Sequence, residues 1–321
     1  PFVLLTPKHH TRFLNSSYSH LPRHAGSEGA PFVEMVAADA DDKRVLAQLH
    51  EFQTSLGLPS TRLGSREVRA LEPLLSPDVV GGLDVGADHS VHNRALMAAL
   101  AAACRLDGVT EVPAAASSLL VEHDRAVGVR LDDGSCLRGG SVVLAAGAWT
   151  PLVSGVPAGL VPPVRPVKGQ ILRLRTTADT GPVLTRTVRA LVHGTSVYLV
   201  PRADGEVVVG ATSEERGFDD AVTAGGVWEL LRDARAVLPV VTELVLVEAW
   251  AGLRPGSPDN VPLVGQSGLP GLLLATGHGR NGILLAPLTA DLVAGAVLGD
   301  SPPGWAAAAD PRRFHAAAVA R

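Results

Sequence analysis

Residues 272–298, LLLATGHGRNGILLAPLTADLVAGAVL, constrain this chain more than any other stretch. A short run of Leu, Ala and Thr has the length and bulk of a buried strand. A glycine-rich turn follows, and a longer apolar stretch opens a helix beyond it. Gly277, Gly279 and Gly282 fit the GxGxxG pattern of dinucleotide sites. Such a site also needs a second strand after the helix, with an acidic residue about 20 positions on. Asp300 has the spacing but lies in LGDSPPG, where no strand is expected, so a nicotinamide or ADP site is not expected here. A helix start with free N–H groups remains, with glycines that admit a flat ligand and an arginine, Arg280, whose fork suits a carboxylate. A helix start tied down by a surface salt bridge explains the same turn equally well. Gly282–Gly299 contains Asp291 and Pro287, and it reads as a buried helix and not a membrane span.

The rest of the chain alternates in the same manner. Asp39–Leu56 has Leu46, Leu49, Phe52 and Leu56 at helical spacing, with Asp39, Asp41 and Asp42 in the first turn. Ser65–Leu71 predicts a short helix capped by Ser65, and Asn93–Leu106 a long, Ala-rich one that should pack closely on several faces. Strands are expected at 119–122, 126–131, 141–146, 170–175, 197–201, 206–211, 244–253 and 271–276, with a helix at 226–238. Ala203-Asp204-Gly205 joins two strands as a hairpin turn, Gly205 supplying the positive φ. Arg254 falls at the end of one apolar strand and Tyr198 within another. Two arginines and a phenol at the ends of buried elements outline a carboxylate pocket.

Composition narrows the possible functions. With 46% apolar and 19% charged residues in 321, the chain is globular with a real core. A net charge of −4 gives no field for nucleic acid or an anionic membrane, and 4% aromatics offers no stacking platform for bases. The two cysteines, Cys104 and Cys136, make no disulfide scaffold, so a soluble, cytoplasmic protein is expected. Neither GxSxG, HExxH nor a P-loop occurs. His89 and His92 are spaced to share a metal, but a histidine satisfied at a helix start is the stronger reading, and no metal is expected. Residues 1–24 lack Ala, Gly, Asp and Glu yet hold four of the 11 histidines, and they read as a poorly ordered or foreign leader.

AWAGLRPGSPDNVPLVG (249–265) followed by LLLATGHGRNGILLAP (272–287) resembles the C-terminal signature of the D-amino-acid oxidase-like flavoproteins. RPVKGQILRLR (165–175) and YLVPRADGEVVVGATSEERGFD (198–219) narrow the likeness to the glycine oxidases of thiamine biosynthesis. VVLAAGAWTP (142–151) is similar to the family's strand and turn beneath the flavin, which includes Gly147. The resemblance implies that Arg280 pairs bidentately with a substrate carboxylate, that Arg254 supports it and that Tyr198 hydrogen-bonds to it. It also implies that His278, Gly279, Arg280, Asn281, Gly282, Ile283 and Leu284 line the isoalloxazine ring, and that Ser118 lies at the adenine. The cofactor is then non-covalent FAD, since neither cysteine is near the signature. The implied reaction is hydride transfer from glycine or a similar small amino acid, with O2 reduced to hydrogen peroxide, in the service of thiamine biosynthesis.

The interleaved strands and helices read as α/β with α+β, one mixed sheet with crossover helices and one antiparallel, and the resemblance makes these an incomplete, Rossmann-like FAD-binding domain interleaved with an antiparallel-sheet substrate domain. Residues 38–92 and 160–245 would form the substrate domain, 93–159 and 246–321 the remainder of the FAD domain, and 1–37 an atypical segment. Nothing in 1–37 resembles the strand–GxGxxG–helix unit with which the family begins, so this chain is expected to bind FAD weakly or not at all. A non-catalytic remnant that binds a small carboxylate stays open as an alternative, as does an oxidase for sarcosine or small D-amino acids. A homo-oligomer also stays open.

Overall fold

The computed structural model describes residues 2–5, 32–85 and 90–317. Eight strands form one large sheet: β2 (Phe32–Ala37), β3 (Thr61–Gly64), β4 (Gly81–Val85), β9 (Arg165–Arg175), β10 (Val188–Val192), β11 (Thr195–Pro201), β12 (Glu206–Gly210) and β13 (Val245–Gly256). Their order is β13-β9-β12-β11-β10-β2-β4-β3, antiparallel throughout except where β2 lies parallel to β10. The sheet thus takes in 32–37 and all of β13, running past residues 38 and 245 as edges. A second sheet orders β1 (Phe2–Leu5), β8 (Ser141–Leu144), β15 (Leu272–Thr276) and β14 (Leu263–Gln266) as β1-β8-β15-β14, with β8 and β15 parallel. A three-stranded meander, β5 (Ala116–Glu122), β6 (Arg125–Leu131) and β7 (Cys136–Arg138), completes a mixed α/β molecule of the expected class.

Alternation decides what each face of the large sheet does. Leu172, Leu174, Val197, Leu199, Val207 and Val209 point to one side, where helix Ala224–Val237 lays Leu230, Ala234 and Val237 on them. Gly205, at φ 82°, turns the β11–β12 hairpin as expected. The opposite face carries Tyr198, Gly210, Ile171 and Trp250 in one row, because these four are register partners across β11, β12, β9 and β13.

Helix α1 (Ala40–Ser55) starts under Asp39, whose carboxylate accepts the Asp41 and Asp42 N–H groups. Helix α2 (Ser65–Leu71) departs from expectation at its start. Gly64 is the N-cap and Glu67 reaches back to the Gly64 N–H at 2.7 Å, so Ser65 sits one place too far in to cap. Helix α3 (Asn93–Leu106) has the expected limits, yet none of its residues is buried. Its alanines permit close packing without requiring it, and Met97 and Leu106 face outward. His92 caps α3 by accepting the Ala95 N–H, and no cluster suited to a metal ion occurs among the described residues. Helix α4 is the Ala224–Val237 element above, and α5 spans Gly282–Leu298.

Helix α5 corrects a further expectation. Only Val293 is buried. One side packs Leu292, Val293, Ala296 and Val297 on the second sheet, and a sheet of four strands covers no more than that side. It lies within Gly279–Leu298, the one helical stretch among the described residues long and apolar enough to cross a membrane. The leader reading also needs revision at its start, because Phe2–Leu5 pairs antiparallel with β8. His9, His10, His20, His24 and His89 lie outside the described residues.

Candidate active site

Three glycines make a floor on the open face of the large sheet. A Cβ at Gly169 would overlap the Arg254 guanidinium, one at Gly210 the Tyr198 phenol and one at Gly252 the Trp250 ring. Each side chain therefore lies along the sheet over a residue that has none. Arg254 Nη1 donates to the carbonyls of Thr212 (3.1 Å) and Lys168 (3.3 Å). These bonds fix the fork, and its Nε and Nη2 have no further partner among the described residues. Burial pushes the Tyr198 phenol above its usual pKa, against the fields of Arg254 and Arg202, so the hydroxyl stays a neutral donor at physiological pH.

Behind this row lies a charge network that the strand patterns do not reveal. Arg173 and Glu206, both nearly fully buried, pair at 2.9 Å, and Glu248 lies 3.8 Å from Arg173 and 2.9 Å from Arg94. The Arg94 hydrogen bond holds the Glu248 carboxyl below its usual range. Residues 173, 206 and 248 sit at alternate positions of three neighbouring strands; only the register shows that they meet.

The second sheet brings its own edge to the site. Three residues past the end of β8 the chain turns at Gly147 (φ 56°), where a 3₁₀ turn, Gly147–Leu152, begins. The Gly147 carbonyl accepts from the hydroxyls of Thr150 (2.7 Å) and Thr276 (3.1 Å), which ties the ends of β8 and β15 together. Past β15, Gly256 of β13 bridges to His278, so the strand bearing Arg254 reaches the glycine turn. His278 Nε2 lies 2.8 Å from Thr289 Oγ1 on α5, and burial lowers the pKa of the imidazole, which keeps it neutral.

Arg280 is exposed and makes no hydrogen bond or ion pair among the described residues. A 3₁₀ turn, Gly279–Asn281, runs directly into α5, and neither His278 nor Asn281 caps this start with its side chain. Ile283 and Leu284 are 48% and 78% exposed, and Cβ positions at Gly147 and Gly279 meet no atom within 4 Å. Apolar side chains, an uncapped helix start and two glycines under open space fit a flat, polar-edged ring such as a flavin.

The structure brings Arg254 and Tyr198 to one face and His278 beside them, while Arg280 extends into solvent from the same turn. Ser118 is set apart on the meander, opposite Arg130 and bridged to Ser154. A cavity of about 400 Å³ near Arg202, Glu206 and Thr176 is lined by none of the expected site residues.

The model of the FAD dependent oxidoreductase family matches residues 26–296. The chain belongs to this family. It is 38% identical over 266 residues to the bifunctional protein ThiO/ThiG of Nostoc sp. (strain PCC 7120), a match over 78% of this chain and 38% of that protein. It is 34% identical over 266 residues to the glycine oxidase of Geobacillus kaustophilus, over 80% of this chain and 66% of the relative. The chain thus spans well under half the length of the bifunctional relative. The crystal structure of glycine oxidase from Geobacillus kaustophilus superposes with a TM-score of 0.81 at 29% identity, covering 95% of this chain and 81% of that one.

Proposed function

We propose that this chain carries the substrate site of an FAD-dependent oxidase for glycine or a similarly small amino acid. The observation that carries the reading is the Gly256–His278 bridge, which sets the floor holding Arg254 and Tyr198 against the ring cradle formed by Gly147 and the start of α5. Arg280, with its fork free, pairs with the substrate carboxylate. Arg254, immobilised by two carbonyls, supports it through its remaining N–H groups, and the Tyr198 hydroxyl donates a third hydrogen bond. The amine is thereby fixed with its α-carbon toward the cradle. When bound, the flavin accepts two electrons with the α-hydrogen and passes the electrons to O2. The open helix start contributes N–H groups and partial positive charge where negative charge builds up. The imine hydrolyses to glyoxylate and ammonia or is passed on intact, and with its nitrogen retained it is suited to supply thiazole synthesis for thiamine.

His278 through Leu284 and Gly147 would hold the ring, with Ser118 toward the adenine. The described residues cradle the ring and offer no second glycine turn for a pyrophosphate. With FAD supplied, glycine should yield hydrogen peroxide and glyoxylate, and omission of FAD should abolish both. Absence of peroxide from glycine, sarcosine and D-alanine alike, with flavin demonstrably bound, would contradict the reading.

A further inference from the structure

Residues 211–223 leave β12 and run back along the end of β9. The Thr212 N–H donates to the Gln170 carbonyl at 3.2 Å, and Lys168 and Glu214 exchange backbone hydrogen bonds at 2.8 and 3.0 Å. Buried side chains clasp this strap from below. The Gln170 amide donates to Glu214 (2.8 Å) and Thr223 (3.1 Å) and accepts the Thr223 N–H at 2.9 Å. The Lys168 ammonium, fully enclosed, faces Asp219 of the strap at 3.6 Å. Glu214 and Asp219, both on the strap, are the carboxylates near this enclosed cation, so a strap that lifted away would leave it uncompensated.

The upper side of the strap spans the proposed site. Its Thr212 carbonyl accepts from Arg254 at one end, and Glu215 pairs with Arg165 at 3.0 Å. Farther along, the Phe218 ring lies 6.3 Å from that of Trp149, tilted by 39°. Trp149 belongs to the turn that begins at Gly147, and that turn packs on β9 and β13. One segment therefore touches the carboxylate arginine and the ring cradle. Both aromatic rings stay about half exposed, at 42% and 50%, as befits a rim and not a core.

We propose that Phe218 and Trp149 form the rim of the substrate pocket and set the size of side chain it admits. The inference rests on the reading above and deepens it. A strap fixed by Lys168 and Gln170 does not yield to a longer substrate, so the gap beside the two rings selects against bulk.

The test measures binding of glycolate and of 3-phenyllactate, two 2-hydroxy acids differing only in side chain, to the full chain in excess FAD. The native protein should favour glycolate by about tenfold or more, and Phe218→Ala should shrink that preference by about tenfold without weakening glycolate. Trp149→Ala should shrink it to the same degree, and the double variant no further, because one contact is lost in each case. Glycolate binding with the native preference intact in both single variants would overturn the rim. Failure of the native protein to bind glycolate would overturn the underlying reading, and the rim with it.

Discussion

A guanidinium that lies along a sheet needs a strand position with no side chain, and Gly169 provides it for Arg254. Gly169→Ala puts a methyl group where the fork now sits, so Arg254 must lift away and surrender its bonds to Thr212 and Lys168. Alanine suits a strand at least as well as glycine, so the fold should persist. Glycolate affinity in excess FAD should fall by about tenfold, the scale of one charged hydrogen bond. Native affinity in this variant, measured by calorimetry, would show that the fork is not held for a ligand. Arg254 and Tyr198 were legible as polar residues in apolar strands. Their glycine floor was not, because a glycine in a strand pattern says only that the strand is weakened there, and its use depends on which neighbour crosses it.

The elements were legible as types and limits more than as packing partners. Asp39 and its acidic turn announced α1, whereas the cap of α2 fell to Gly64 and Glu67, a pairing open to any helix with an acid in its third position. The exposure of α3 and α5 was not legible, since apolar composition records what a helix can bury and not what is there to cover it. At α5 the tie between His278 and Thr289 gives a pH test. Burial depresses the folded imidazole below its ordinary value of 6.5, so the unfolded chain takes up protons first as the pH falls. This contribution to stability is whole above the unfolded value and is lost on acidification toward the folded one. The midpoint of thermal unfolding should drop between pH 7 and pH 5 by more in the native protein than in His278→Gln. Parallel pH profiles for the two would assign the loss to other groups.

Across the whole molecule, the class of fold followed from the alternation of strands and helices, and the family from motifs spread over the chain. The way the two sheets meet was hidden. Gly256 with His278, and Trp149 with Phe218, are contacts between segments far apart in sequence that no local pattern encodes. The buried Arg173–Glu206 pair is likewise a product of register. Those long-range contacts set a floor on one sheet beside a helix start on the other, where the proposed site lies. In the proposed site the acid group of a small substrate is held at this seam by Arg254 and Arg280. Calorimetric titration with glycolate in excess FAD, comparing the native chain with Arg254→Ala and Arg280→Ala, tests it most directly. Each substitution should weaken binding by roughly ten- to a hundredfold, as expected for the loss of charged hydrogen bonds. Native affinity in both variants would contradict it.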